Sequence, residues 1–134
     1  MALDVLVVAP PQAGAERIAF QRHVAALEWD GYYLFLSRFW PASSSTGRLI
    51  DLHASTHFEG ANLAQLRSAL VRARTQAVEQ PETWQEHLGK QTHPVQREIY
   101  ATVNRSDLVV LLGNLIRAVD EAESKRGRVV FEGD

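Results

Sequence analysis

Asp51, His53, Ser55 and His57 occupy alternate positions in RLIDLHASTHF, residues 48–58. Asp with two His is a donor set that zinc or iron accepts. Asp, His and Ser are also the residue types of a nucleophilic triad. The same stretch alternates with period two: Ile50, Leu52, Ala54, Thr56 and Phe58 fall on the other face. That alternation predicts a half-buried strand, with the Asp/His/Ser set on its solvent face. Neighbours on one face of a strand lie about 6.6 Å apart and can share a ligand, but His53 and His57 are then about 13 Å apart and cannot share a metal ion. A polar, solvated strand face is therefore expected, and no metal is assigned.

VLVVAPPQAGAER, residues 5–17, has the strand–loop–helix order of a phosphate-binding loop. A Walker loop requires glycines that free backbone N–H donors, a Lys for the phosphate charge and a Ser or Thr hydroxyl for magnesium. Here Ala15 and Glu16 stand in the place of Lys and the hydroxyl, and Pro10 and Pro11 remove two N–H donors. The glycine spacing of a dinucleotide site is missing too. The stretch reads as a strand and a turn.

Further candidates are scattered. Trp84, His87 and His93 lie in or near an expected hairpin, as a ligand platform or as a packed Trp with surface His. Glu82 and Glu86 lack a matched partner acid in sequence. Arg67, Arg72 and Arg74 spread around one expected helix. Phe35, Phe39 and Trp40 are either core or an exposed anchor of the kind common at interfaces. Glu132 and Asp134 form a negative tip at the end of the chain.

The elements that must position these residues follow from periodicity. Residues 3–9 suit a short buried strand. Residues 13–29 carry Ile18, Phe20, Val24 and Leu27 at helical spacing. Asp30-Gly31 reads as a turn, and residues 31–40, rich in aromatics, as a strand, with a helix as the alternative. Leu63, Leu66, Leu70, Ala73 and Ala77 mark a helix, with Asn62 and Gln65 as its capping box, ended by Pro81. Residues 83–89 and 97–103 are two further strands. Asn104 with Asp107 caps a second long helix that runs to about Lys125, with Gly127 as its C-terminal glycine. Residues 128–134 close the chain as a strand. The order predicts a single α+β domain over residues 1–134: a mainly antiparallel sheet with two or three helices packed on one face.

Composition narrows the function classes. A chain of 134 residues buries enough surface to fold without staples. With no cysteine it has no disulfide, thiol chemistry or Cys-type zinc site. Fourteen basic and 16 acidic residues give a net charge of −2, so no general attraction to nucleic acid or anionic lipid is expected. The longest apolar run is too short for a membrane span, and Asp4 stands where a signal peptide carries basic residues. A soluble, cytoplasmic protein is expected.

Beyond these readings, the layout of residues 46–134 resembles small bacterial α/β immunity proteins of polymorphic toxin systems. It runs TGRLIDLH, FEG, a helix ending EQPETWQEHLG, REIYATVNR, a leucine-rich helix and VVFEGD. The segment W-x-x-x-x-G from Trp84 to Gly89 and the terminal Gly133-Asp134 carry most of the likeness. The resemblance implies an antitoxin that binds a cognate protein toxin and covers its active site, with no catalysis and no cofactor. Immunity proteins against nucleases are often strongly acidic. This chain is only slightly so, and the implied toxin need not be a nuclease. The expected contact residues are Asp51, His53, His57, Glu59, Trp84, Glu86, Glu132 and Asp134, with TWQEHLG, REIYATV and VVFEGD as strands of one sheet that the partner reads. Two other readings stand beside it: a small enzyme or ligand-binding domain on the Asp51/His53/His57 face with His87 or His93, and a structural subunit assembling through a sheet edge.

Overall fold

The structure, a computed structural model, describes residues 2–11, 19–28, 30–39, 55–92 and 94–133. Strand β1 (Ala2–Ala9) is followed by β2 (Phe20–Glu28), α1 (Gly31–Ser37), β3 (Ser55–Glu59), α2 (Ala61–Val78), β4 (Thr83–Gln91), β5 (Arg97–Asn104), α3 (Arg105–Ser124) and β6 (Arg128–Glu132). The fold is α+β, and every strand pairing is antiparallel. Its strands form two sheets where one was expected. Among the described residues four strands lie in the order β2-β1-β6-β3, and β4 pairs only with β5. The last strand therefore does not join the sheet of TWQEHLG and REIYATV.

The inner face of the larger sheet is built by alternation. Leu3, Val5 and Val7 on β1, Val129 and Phe131 on β6, and Phe58 on β3 are all buried. Phe58 and Phe131 meet edge to face, 5.6 Å between ring centroids. Helices α2 and α3 pack on each other and cover this face. Leu63, Leu66, Leu70, Ala73 and Ala77, the residues that marked α2 in the sequence, form its buried stripe.

Residues 20–28, expected in a helix, are a strand, and one residue explains the difference. The register of β2 against β1 shifts between Val5 and Leu6, which leaves Val24 opposite no partner. Phe20 and Arg22 face inward before this bulge, and Ala25 and Leu27 after it. The extra residue switches the inward positions from even to odd. It thereby turns a two-residue period into the four- and three-residue steps Phe20, Val24, Leu27, which imitate a helix. Residues 13–18 and 29 of the expected helix lie outside the described residues.

Residues 31–37 also differ from the strand expected of them. Asp30 is an N-cap whose carboxylate accepts from the Tyr33 N–H at 2.9 Å. The aromatic run then coils into α1, with Tyr33, Phe35 and Leu36 buried. Burial of these rings outweighs their strand propensity. At α2 the cap is Gly60, without a side-chain bond, and Asn62 lies within the first turn.

Helix α3 begins as the sequence indicates, with the Asn104 side chain accepting from the Asp107 N–H at 3.2 Å. Its far end differs. The left-handed residue is Arg126 (φ 55°), and its N–H donates to the Glu123 carbonyl. The Gly127 N–H closes back on Ala122 at 2.7 Å. This pair of bonds satisfies the last free carbonyls of the helix. Gly127 is needed for a different reason: a Cβ there would lie 2.2 Å from the Val8 carbonyl oxygen. Only glycine lets the chain pass so close to β1.

Candidate partner-binding surfaces

The expected contact residues that are described, His57, Glu59, Trp84, Glu86 and Glu132, divide between the larger sheet and the β4–β5 hairpin. On the outer face of the larger sheet, strand register lines up a row of four: His23 on β2, Leu6 on β1, Val130 on β6 and His57 on β3. Glu59 stands opposite Arg128, and Glu132 stands between Ser55 and Asp4. The Asp4 carboxylate meets the His23 ring at 3.0 Å. Leu6 and Val130 are nearly closed off at the centre, while His57, Glu59 and Glu132 are exposed around them. Two histidines at opposite ends of a four-strand row are about 14 Å apart at ordinary strand spacing and do not converge. Among the described residues no group of three or more His, Asp or Glu is placed to hold a metal ion. Asp51, His53 and Asp134 lie outside the described residues, as do Trp40 and His93.

The second surface is the β4–β5 hairpin, and its two faces differ in kind. The inner face carries Trp84 opposite Val103 and Glu86 opposite Ala101, and it packs on α1. Glu86 is the buried charged residue of the described chain, 6% exposed. A carboxylate there must be fully bonded, because an uncompensated buried charge costs several kcal/mol. It accepts the Trp84 indole N–H at 2.8 Å on one oxygen and the Arg38 guanidinium on the other. The Trp84 ring in turn packs on Phe35, which packs on Phe39, and the Arg38 guanidinium lies over the Phe35 ring. Phe35 is thus core, and Glu86 works from below the surface, tying the hairpin to α1.

The outer face of the hairpin is open. Gln85 donates to Thr102 across the strands at 2.8 Å. One step along, His87 faces Tyr100 with ring centroids 5.2 Å apart and is bonded to the Glu98 carboxylate. Tyr100 is 56% exposed, and Val95 in the connecting loop 67%. A bulge between His87 and Gly89 bends β4 beyond this pair, with Gly89 at φ 155°, a conformation that favours glycine. Tyr100 was not among the expected contact residues. Its signal was available: in REIYATV the inward series is Ile99, Ala101 and Val103, which leaves an aromatic on the polar series.

Electrostatic shifts lie elsewhere, at the brace between β2 and α3. The Arg22 guanidinium donates to both Glu121 carboxylate oxygens, at 2.6 and 3.0 Å to the nearer. These bonds hold the Glu121 pKa below its ordinary value and raise that of Arg22. On α2, Arg67 is paired to Asp120 at 2.8 Å, while Arg72 and Arg74 are exposed.

Comparison of the chain with known protein families, with curated proteins and with solved structures finds no match. The helices of the described residues include none long and apolar enough to cross a membrane.

Proposed function

We propose that the chain is a protein-binding module of the immunity type, which neutralises a cognate bacterial toxin by covering its active site. The observation that supports this reading is the β4–β5 hairpin. It stands apart from the larger sheet and is braced from beneath by a buried carboxylate. It presents an exposed Tyr beside a His and a Glu, and among the described residues both of its outer strand edges are unpaired. Binding hot spots concentrate in such rigidly held aromatics with polar tips, because a ring brings large contact area at little conformational cost. Open strand edges add a row of backbone donors and acceptors for an incoming segment. Trp84 and Glu86 then position the contact face, and His57, Glu59 and Glu132 form a second exposed surface on the outer face of the larger sheet.

The test is to search the genes flanking this one for a secreted toxin and to co-express any that is found with this chain. Flanking genes that encode no toxin would also count against the proposal. The expected result is that cells survive the toxin only with this chain present, and that the two purified proteins form a complex. Survival unchanged by the chain, together with no complex by calorimetry, would overturn the proposal.

A further inference from the structure

The β4–β5 sheet has one blunted edge and one regular edge. On β4 a bulge follows His87, Gly89 takes φ 155°, and Lys90 comes next. Bulges and lysines are devices that keep an edge from pairing. Strand β5 has neither, nor a Pro, between Arg97 and Asn104, and among the described residues no further strand lies along it. One bond tells which of its backbone groups face outward. The Arg105 N–H donates to the Glu82 carbonyl at 2.9 Å. Antiparallel pairs alternate between hydrogen-bonded and open ones. Val103 and Ala101 therefore bond inward to β4, while Asn104, Thr102, Tyr100 and Glu98 turn their N–H and C=O outward. The Asn104 N–H confirms the parity, because it donates to the Tyr32 hydroxyl of α1 at 3.1 Å rather than to β4. Among the described residues Glu98, Tyr100 and Thr102 remain as the open stretch of this edge, with Tyr100 at its midpoint.

We infer that two copies of this chain pair antiparallel along β5, Tyr100 opposite Tyr100 of the copy, to make one four-stranded sheet in the order β4-β5-β5-β4. The open stretch is its own complement in this register. Glu98 stands opposite Thr102 of the copy on both sides of the axis, and no like charges meet. On the inner face Ile99 stands opposite Ala101 of the copy, and both are only half-buried in the single chain, so each covers the other. Neighbouring registers lose contacts. One sets Thr102 against Gln96, beyond the end of β5. The other needs the Asn104 N–H that Tyr32 already holds, and it brings Arg97 against Arg105 of the copy. The assembly closes at two, because pairing uses up both β5 edges and leaves only the blunted β4 edges outside. So short an edge covers far less than the roughly 1,600 Å² of a standard interface, which makes the dimer weak and dependent on concentration. The outer side-chain face of the hairpin stays open, and the inference does not rest on the toxin-binding reading.

The experiment is sedimentation equilibrium of the full chain from about 10 μM to about 1 mM. The average mass is expected to climb from that of the monomer toward twice that value, and a monomer at every concentration would overturn the inference. Tyr100 is 56% exposed, so its variants are expected to fold, which far-UV circular dichroism checks. Tyr100→Lys and Tyr100→Glu each set like charges at the two-fold axis and are expected to stay monomeric, while their equimolar mixture restores the dimer. A dimer undiminished in Tyr100→Lys would belong to another surface and would also overturn the inference. Cross-linking tests the register cleanly, because the chain has no cysteine of its own. Tyr100→Cys places two Cα atoms about 5.5 Å apart across the axis, within disulfide reach. Thr102→Cys, on the same face, lies four residues along from its copy, about 14 Å away. Oxidation with diamide is expected to link Tyr100→Cys at least about tenfold faster than Thr102→Cys. Equal rates would contradict the pairing.

Discussion

Alanine at position 127 puts a methyl group where the backbone of β1 already stands. The added Cβ would lie 2.2 Å from the Val8 oxygen, 2.8 Å from the Ala9 Cβ and 2.9 Å from the Ala9 Cα. Non-bonded carbon does not tolerate such distances, so either the α3–β6 corner or β1 must move. Strand β1 cannot yield easily, because it is paired on one side to β2 and on the other to β6. Nor can the corner, because the Gly127 N–H is bonded to Ala122 at the end of a buried helix. Overpacking of this kind costs about 3 kcal/mol. In a chain of this size that is a fall of roughly 10 °C in Tm. Urea unfolding followed by far-UV circular dichroism, with the m-value checked for constancy, measures it. One residue earlier the sign reverses: Arg126→Gly removes a left-handed side chain and is expected to stabilise by about 1 kcal/mol. A Gly127→Ala protein within about 0.5 kcal/mol of the parent would refute the reasoning, since surface changes of no consequence fall in that range.

Three further outcomes follow from the same contacts. Glu86→Ala leaves the Trp84 N–H without its acceptor and should cost about 2–3 kcal/mol by thermal denaturation. Glu86→Gln, which keeps an oxygen for Trp84, should cost about 1 kcal/mol, because Arg38 is more than half exposed. The Glu121 pKa lies below its unfolded value, so its bond to Arg22 contributes stability above the unfolded pKa and loses it as pH falls through the folded one. Arg22→Met should therefore cost up to about 1 kcal/mol near neutrality and almost nothing once both states are protonated, a convergence that acid titration of urea midpoints would show or deny. Asn104→Ala removes the α3 N-cap and should cost about 1 kcal/mol in the same assay, while Asn104→Asp should hold stability near the parent value.

The regular elements were legible wherever packing follows one period. The leucines of α2 and α3 at three- and four-residue steps led directly to the helices that hold them. The errors have local causes. The bulge at Val24 disguised an edge strand as a helix. The aromatics of α1 carry strand propensity, but the Asp30 cap and their burial made a helix of them. Arg126 took the left-handed position that the neighbouring glycine suggested, because Gly127 is reserved for a close approach that only tertiary structure shows. The candidate surface was half legible. Trp84 and Glu86 were picked out, yet their inward placement depends on Arg38 and Phe35, nearly fifty residues away. Tyr100 was hidden in plain alternation, because the sequence does not say which face of a hairpin meets a helix.

Calorimetric titration into this chain of the toxin that the proposed function requires, beside the Tyr100→Ala variant, tests the central claim. Tyr100 is exposed, so the variant is expected to fold with unchanged Tm. If the hairpin is the contact face, its affinity should fall by about 2 kcal/mol, roughly thirtyfold, and protection of cells should fall with it. Wild-type affinity in a correctly folded Tyr100→Ala protein would contradict the account.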